Sequence, residues 1–169
     1  MRNRTRKLTL AAMLAGVQVV LLLLGSVLPS GRVAMAALAG VLGAGIVLEC
    51  GMSWAALAWV AASLLSLLLL PQKAPAILFA AFFGWYPLLK SFAERLKSRV
   101  AEWAVKLLAF NAALALCWLL LSRGFLTGLE LPAIWPGVLI LGLELVFVAF
   151  DIAFTGLIGI YRQKIKNKR

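Results

Sequence analysis

The chain has 169 residues, of which 64% are hydrophobic and 14% are charged, and its formal net charge is +11. Soluble domains usually contain about 25% charged residues, so this composition excludes a soluble globule and predicts an integral membrane protein. The basic residues stand at the ends of apolar runs, without interleaved aromatic residues, which favours lipid headgroups over nucleic acid as their partner.

The chain contains no histidine and only two cysteines, Cys50 and Cys117, which are far apart in sequence. A histidine-based metal site, a histidine-dependent catalytic triad and a disulfide framework are therefore disfavoured. No loop of the form Gly-x4-Gly-Lys-Ser/Thr is present to bind a nucleotide. We expect no metal, no cofactor and no enzymatic activity.

The first predicted helix covers about residues 8–28 and follows a basic tail. It is too long for the apolar region of a usual signal peptide, so we interpret it as a retained span. Ala11 and Ala15 lie four residues apart, and so do Ala12 and Gly16. Small residues at this spacing let a second helix approach closely. The spacing leaves open whether that helix belongs to this chain or to a partner.

Helices 2 and 3 are predicted at about residues 32–48 and 53–70. One continuous helix over both would be about 60 Å long, twice the hydrocarbon thickness, so the chain must turn back. Gly51 favours a tight turn between the two helices, and Ser53 is the expected cap of helix 3.

The fourth predicted helix covers about residues 76–91 and is short. Lys90, near its end, is long enough to carry its ammonium to the membrane interface. Pro87 removes a backbone hydrogen bond, which predicts a kink. Trp85 and Tyr86 are interpreted as interfacial aromatic residues in preference to ligand-stacking groups.

The fifth predicted helix, at about residues 103–121, contains Lys106 and Asn111. Asn111 shares a helix face with Trp118, seven residues later. When residues are counted from the ends of helices 5 and 6 that we expect on the cytoplasmic side, Asn111 lies at the same depth as Asp151 of helix 6. We expect a hydrogen bond between these two side chains if the helices are neighbours, and the long side chain of Lys106 could also reach Asp151.

The sixth predicted helix, at about residues 137–161, is apolar but contains Glu144 and Asp151. A carboxylate near mid-membrane costs at least about 2.5 kcal/mol, so both should face protein or water. They lie seven residues apart on one helix face. Two interpretations have equal weight. In the first, the acids are neutral or paired groups that fix helix packing; in the second, they bind a solute or an ion.

The loop from Ser122 to Pro136 is the longest predicted external segment. It contains Trp135, which we name with Glu144, Asp151, Asn111 and Trp118 as a candidate substrate-binding residue. The loop is either a lid over a binding site or an amphipathic surface loop.

The distribution of basic residues predicts the topology. Six spans with both termini inside place thirteen of the seventeen basic residues on the cytoplasmic side, in the two tails and in the loop of residues 90–102. Arg32, Lys73 and Arg123 are left outside. This asymmetry follows the positive-inside rule, whereas a five-span chain would break it. The predicted fold class is therefore an all-α integral membrane protein, with one six-helix domain over residues 1–169.

A basic tail that leads into Leu8-x3-Ala12 and the Ala11-x3-Ala15 pair, in a chain of six short helices, resembles the substrate-binding S components of energy-coupling-factor transporters. In that family the alanine pair docks on a transmembrane coupling subunit that works with ATPases, and later helices hold a vitamin or metal. The resemblance implies that Ala11 and Ala15 are the docking residues. The lack of histidine speaks against the nickel and cobalt branch.

A second resemblance concerns the segment from Gly84 to Lys90 and continuing to Asn111. It is similar to uncharacterised membrane proteins of Gram-positive bacteria. This likeness implies a bacterial cell membrane as the location and says nothing about function.

Three functions remain open. The first is an S-component-like subunit that binds a small solute, such as a vitamin, for uptake with partner subunits that supply energy. The second is a scaffolding or assembly protein of the cell envelope, in which the acids of helix 6 only lock helices together. The third, an intramembrane enzyme, is disfavoured because no nucleophile and base accompany the two carboxylates.

Overall fold

A computed structural model describes residues 2–28, 31–96, 98–123 and 136–166. The chain divides into two compact units, Met1–Leu129 and Glu130–Arg169. The first contains helices α1 to α6 and the second contains α7. The prediction of a single domain stays a prediction. The helices are α1 (Arg2–Val27), α2 (Arg32–Glu49), α3 (Met52–Leu69), α4 (Ala74–Leu78), α5 (Tyr86–Ala93), α6 (Arg99–Ser122) and α7 (Pro136–Lys166), with a π-helical turn, Phe79–Phe83, between α4 and α5.

Six segments of these helices are long and apolar enough to cross a membrane. The part of the chain that the structure describes contains no strand. The all-helical class and the six potential spans are therefore confirmed, whereas insertion in a bilayer and the side on which each terminus lies stay predictions. The six segments are Asn3–Val27, Arg32–Glu49, Met52–Leu69, Ala74–Ala93, Arg99–Leu120 and Ile140–Tyr161. The segment Ala74–Ala93, made of α4, the π-helical turn and α5, is called the fourth span below.

Three helices extend past the predicted apolar segments. Helix α1 begins at Arg2 instead of residue 8, α6 begins at Arg99 instead of residue 103, and α7 continues to Lys166 instead of residue 161. Lys and Arg are good helix formers, so nothing in these basic stretches stops the helix.

Helices α1 and α2 pack antiparallel. The Gln18 side chain donates a hydrogen bond from Nε2 to the Ala39 carbonyl at 2.8 Å. Toward the opposite end, the Cys50 thiol contacts the Lys7 carbonyl, with Sγ and O 3.4 Å apart. From Lys7 to Gln18 the residue number rises along α1, while that of the contacting residue in or next to α2 falls from Cys50 to Ala39. The two helices therefore run in opposite directions. Burial raises the pKa of the Cys50 thiol, while the positive charge of Lys7 acts against that increase.

The turn between α2 and α3 is built on Gly51. Its φ of 98° lies in the left-handed region, which glycine adopts without steric cost, so the predicted tight turn is confirmed. The predicted cap is wrong, because α3 already begins at Met52 and Gly51 is its N-cap residue, without a side-chain bond. Ser53 therefore lies inside the first turn.

The fourth span is interrupted where the sequence predicts a kink. The Gly84 amide donates to the Phe79 carbonyl at 2.7 Å, an i→i+5 bond that closes the π-helical turn. The helix resumes at Tyr86, with Pro87 in its first turn. Pro87 cannot donate to the Phe83 carbonyl, so the interruption follows directly from the proline.

The interrupted backbone of the fourth span lies directly against α2 and α3. A Cβ atom on Gly40 of α2 would be 2.5 Å from the Phe83 carbonyl oxygen. A Cβ atom on Gly84 would likewise collide with the Trp59 indole of α3. Both glycines are needed because only a residue without a side chain permits these approaches.

Tyr86 belongs to an aromatic cluster inside the first unit. Its ring centroid is 5.0 Å from that of Phe82, and the Phe82 ring is 5.3 Å from Phe110 of α6. Tyr86 is only 1% exposed. The interfacial interpretation is therefore wrong for Tyr86, whose ring packs beside Phe82 in the protein interior, while Phe82 makes the contact with α6. Trp85 is half-buried and donates from Nε1 to the Ala81 carbonyl at 2.7 Å.

Candidate functional site

The two ridges of small residues on α1 have opposite environments. Ala11 and Ala15 are buried in a core cluster with residues of α2 and α3, such as Ile46 and Ala55. Helices of the same chain therefore already occupy the close approach that these alanines permit. Docking of a partner at Ala11 and Ala15 stays a prediction, and it would require α1 to separate from α2 and α3.

The second ridge of α1, formed by Ala12 and Gly16, is exposed. Apart from its chain neighbours and the backbone of α1 itself, a Cβ atom on Gly16 would meet no atom of the described residues within 4 Å. Met13 and Val20, which flank the ridge, are 61% and 56% exposed. This face is therefore accessible to lipid or to a second helix without rearrangement of the first unit.

Helix α7 carries the two acids on one face. Asp151 is 2% exposed, and so are Phe147 and Phe154, four residues before it and three residues after it. Glu144 lies one turn before Phe147 and is half-buried. Since residues spaced by three and four share a helix face, α7 has one face on which carboxylates alternate with phenyl rings. We call these four residues the acidic face of α7.

Further contacts within α7 stabilise the local arrangement of this face. The Thr155 hydroxyl donates to the Asp151 backbone carbonyl at 2.7 Å, so the threonine bonds to its own helix. The rings of Phe150 and Phe154 stack with centroids 5.6 Å apart. The aromatic rings thereby supply an apolar surface beside a buried carboxylate.

The other predicted site residues have different environments. Asn111 is exposed on α6 and donates from Nδ2 to the Leu107 carbonyl at 3.0 Å. Trp118 is 59% exposed. Trp135 lies outside the described residues. The predicted hydrogen bond between Asn111 and Asp151 stays a prediction, as does the approach of Lys106 to Asp151.

Two buried lysines in the first unit were not predicted as site residues. Lys90 at the end of α5 is 1% exposed, and its Nζ is 3.4 Å from Glu94 Oε1. Lys106 of α6 is 2% exposed, and its Nζ is 2.7 Å from Glu102 Oε1. The same Nζ lies 5.2 Å from the ring centroid of Trp103, a cation–π distance. The sequence signal was the four-residue spacing of opposite charges on both sides of one loop.

In the described ranges, no three His, Cys, Asp or Glu side chains lie close enough together to hold a metal ion. Chemically, the acidic face can accept hydrogen bonds from a solute or pair with its cationic group, while its rings contact apolar or aromatic parts of the same molecule. Comparison of the chain with protein families, with curated proteins and with solved structures finds no match.

Proposed function

We propose that this chain is the solute-binding subunit of a membrane uptake system of the S-component type. It binds a vitamin or a similar micronutrient, and partner subunits supply the energy. The observation that carries the proposal is Asp151, a carboxylate 2% exposed within a potential membrane span. Ionisable groups are costly in a bilayer and usually mark substrate or ion pathways.

The chemistry of the acidic face favours a particular kind of solute. Glu144 is half-buried and lies closer than Asp151 to the end of α7 that the charge distribution places outside. A solute entering from outside meets Glu144 first. The alternation of carboxylates with Phe147 and Phe154 suits a molecule with a cationic group and a flat or apolar body.

The solute site is tested by Glu144→Gln and Asp151→Asn, with Glu49→Gln as the matched control. Glu49 is exposed at the end of α2, so its amide removes the same charge from a residue outside α7. Small molecules that co-purify with the protein in mild detergent are identified by mass spectrometry, and their affinities are measured. Loss of a carboxylate that holds a ligand cation costs about 2 to 5 kcal/mol of binding.

The expected result is a loss of solute in the Glu144 variant, with thermal stability in the absence of solute little changed. Wild-type solute content in both α7 variants would remove the carboxylates from the binding site. A loss of the same size in Glu49→Gln would show an effect of net charge alone.

Partner docking is the second part of this function, and the exposed Ala12 and Gly16 ridge accepts a helix most directly. Ala12→Trp and Gly16→Trp should remove co-purified membrane subunits without lowering the unfolding temperature. Ala11→Trp and Ala15→Trp should instead destabilise the protein, because both positions are buried against α2 and α3. Retention of the same subunits by the Ala12 and Gly16 variants would place the interface elsewhere.

A scaffolding function in the cell envelope is the second candidate. It is favoured by the burial of Ala11 and Ala15 within the chain, since the small-residue motif then serves internal packing. In that case the acids of α7 are structural. The amide variants would keep the folded protein and its partners, and no solute would co-purify with any of them.

A further inference from the structure

The amino-terminal end of α6 carries a shallow, largely open groove of about 490 Å³, and all of its described lining residues belong to α6. Its lining residues recur at spacings of three and four, so they form one stripe along the helix. The stripe covers residues 99–107, which is about 12 Å of helix at the usual rise. It is lined by Arg99, Val100, Trp103, Ala104 and Leu107.

The groove combines an apolar floor with a charged mouth. Among the described lining residues only Arg99 is charged, and it lies in the first turn of α6. The nearby acid Glu102 bonds to Lys106 at 2.7 Å, so its negative charge is already compensated. The exposed Arg95 adds a second positive charge just before the helix. The mouth of the groove is therefore electropositive.

The backbone of α6 also favours an anion at this position. The first amides of a helix have no partners inside the helix and carry a partial positive charge. One of these amides, that of Ala101, donates to the Ser98 hydroxyl at 3.5 Å. A phosphate beside Arg99 would meet both the guanidinium and this end of the helix dipole.

We propose that this groove is a binding site for one anionic phospholipid. Its phosphate lies at Arg99, and one acyl chain lies along Val100, Ala104 and Leu107, with Trp103 at the level of the headgroup. Val100 is 80% exposed, which suits contact with an acyl chain. A lipid of net negative charge fits the electropositive mouth better than a zwitterionic one. The site depends on the membrane location of the chain and is independent of the proposed solute.

The test uses Arg99→Gln, with Arg123→Gln as the matched control. Arg123 is exposed directly after the other end of α6, so each variant loses one positive charge at an end of this helix. Purified protein is incubated with phosphatidylglycerol or phosphatidylcholine, and bound lipid is counted by native mass spectrometry. We expect Arg99→Gln to reduce phosphatidylglycerol binding about fivefold, the usual effect of one basic residue at an anionic surface. Arg123→Gln and phosphatidylcholine binding should change little, and Arg99→Lys should retain phosphatidylglycerol.

A second pair of variants tests the apolar part of the groove. Ala104→Phe fills it without a change in charge, whereas Leu108→Phe adds bulk at a neighbouring position that is 71% exposed and outside the lining. Only the Ala104 variant should lose the lipid, and both should keep the wild-type unfolding temperature. Equal phosphatidylglycerol binding by Arg99→Gln and Arg123→Gln, or full binding by a folded Ala104→Phe protein, would overturn the proposal.

Discussion

Gly40 of α2 lies directly against the backbone of the fourth span. The carbonyl that it faces is that of Phe83, to which Pro87, four positions later, cannot donate. A Cα–H of glycine can offer such a carbonyl a weak hydrogen bond, which a side chain would prevent. The proline in one helix and the glycine in another are thus parts of the same contact.

Gly40→Ala should destabilise the protein by about 1 to 3 kcal/mol, since its Cβ would force backbone atoms of Phe83 to move. Gly45→Ala in the same helix is the control, because among the described residues its Cβ would meet only Leu14 Cδ1, at an ordinary contact distance of 3.9 Å. Alanine also favours helix over glycine, so the control should be neutral or slightly stabilising. Thermal unfolding in detergent compares the two variants. Equal stability would show that the close approach of Phe83 to Gly40 does not constrain the fold.

At the residue scale, the small residues alone do not show which ridge of α1 faces the protein interior. Both ridges have the same spacing and similar composition. Gln18 carries the missing information, because it follows Ala15 by three residues and shares its face. A polar side chain in a membrane helix turns toward protein, and the structure buries Gln18 against Ala39.

Among the elements, α6 contains one ion pair and the end of α5 carries another, and the two pairs differ in quality. Glu102 and Lys106 form a direct contact at 2.7 Å, with side chains 22% and 2% exposed. Lys90 and Glu94 are 3.4 Å apart, and Glu94 is 34% exposed. Solvent weakens the second pair more than the first.

Double-mutant cycles should resolve this difference. With Glu102→Gln and Lys106→Met, we expect a coupling energy of about 1 kcal/mol or more, because the pair is largely shielded from solvent. With Glu94→Gln and Lys90→Met the coupling should be about 0.5 kcal/mol, as in exposed helix pairs. The measured quantity is the free energy of unfolding of each single and double variant. A larger coupling in the Lys90 pair would contradict the geometry.

The helix boundaries show which structural feature an apolar run in the sequence predicts. It marks the part of a helix that can lie in lipid, so the six spans were predictable, but it does not mark where the helix itself ends. This is why α1 and α7 extend into basic stretches that the prediction left outside. The interruption of the fourth span was predictable at Pro87, whereas the sequence did not show that a π-helical turn precedes it or that Gly84 packs against Trp59.

At the scale of the whole molecule, composition and charge predicted the helical class and the number of potential spans. The candidate site was predictable in part: Glu144 and Asp151 share a face by spacing alone, and the phenyl rings on that face follow from the same periodicity. The burial of Lys90 and Lys106 was not predictable, because one sequence does not show which side of α5 or α6 packs inward.

Both the proposed function and the lipid site require six membrane spans with cytoplasmic termini. Cysteine labelling in intact cells measures this topology directly. Cys50 and Cys117 are first replaced by alanine, and single cysteines are introduced at Ser98, which is exposed before α6, and at Thr127, which the sequence predicts to be in the external loop of residues 122–136. A membrane-impermeant maleimide added outside should label only the Thr127 position, and Ser98 should react after the cells are opened. Labelling of the Ser98 position in intact cells would contradict the six-span account.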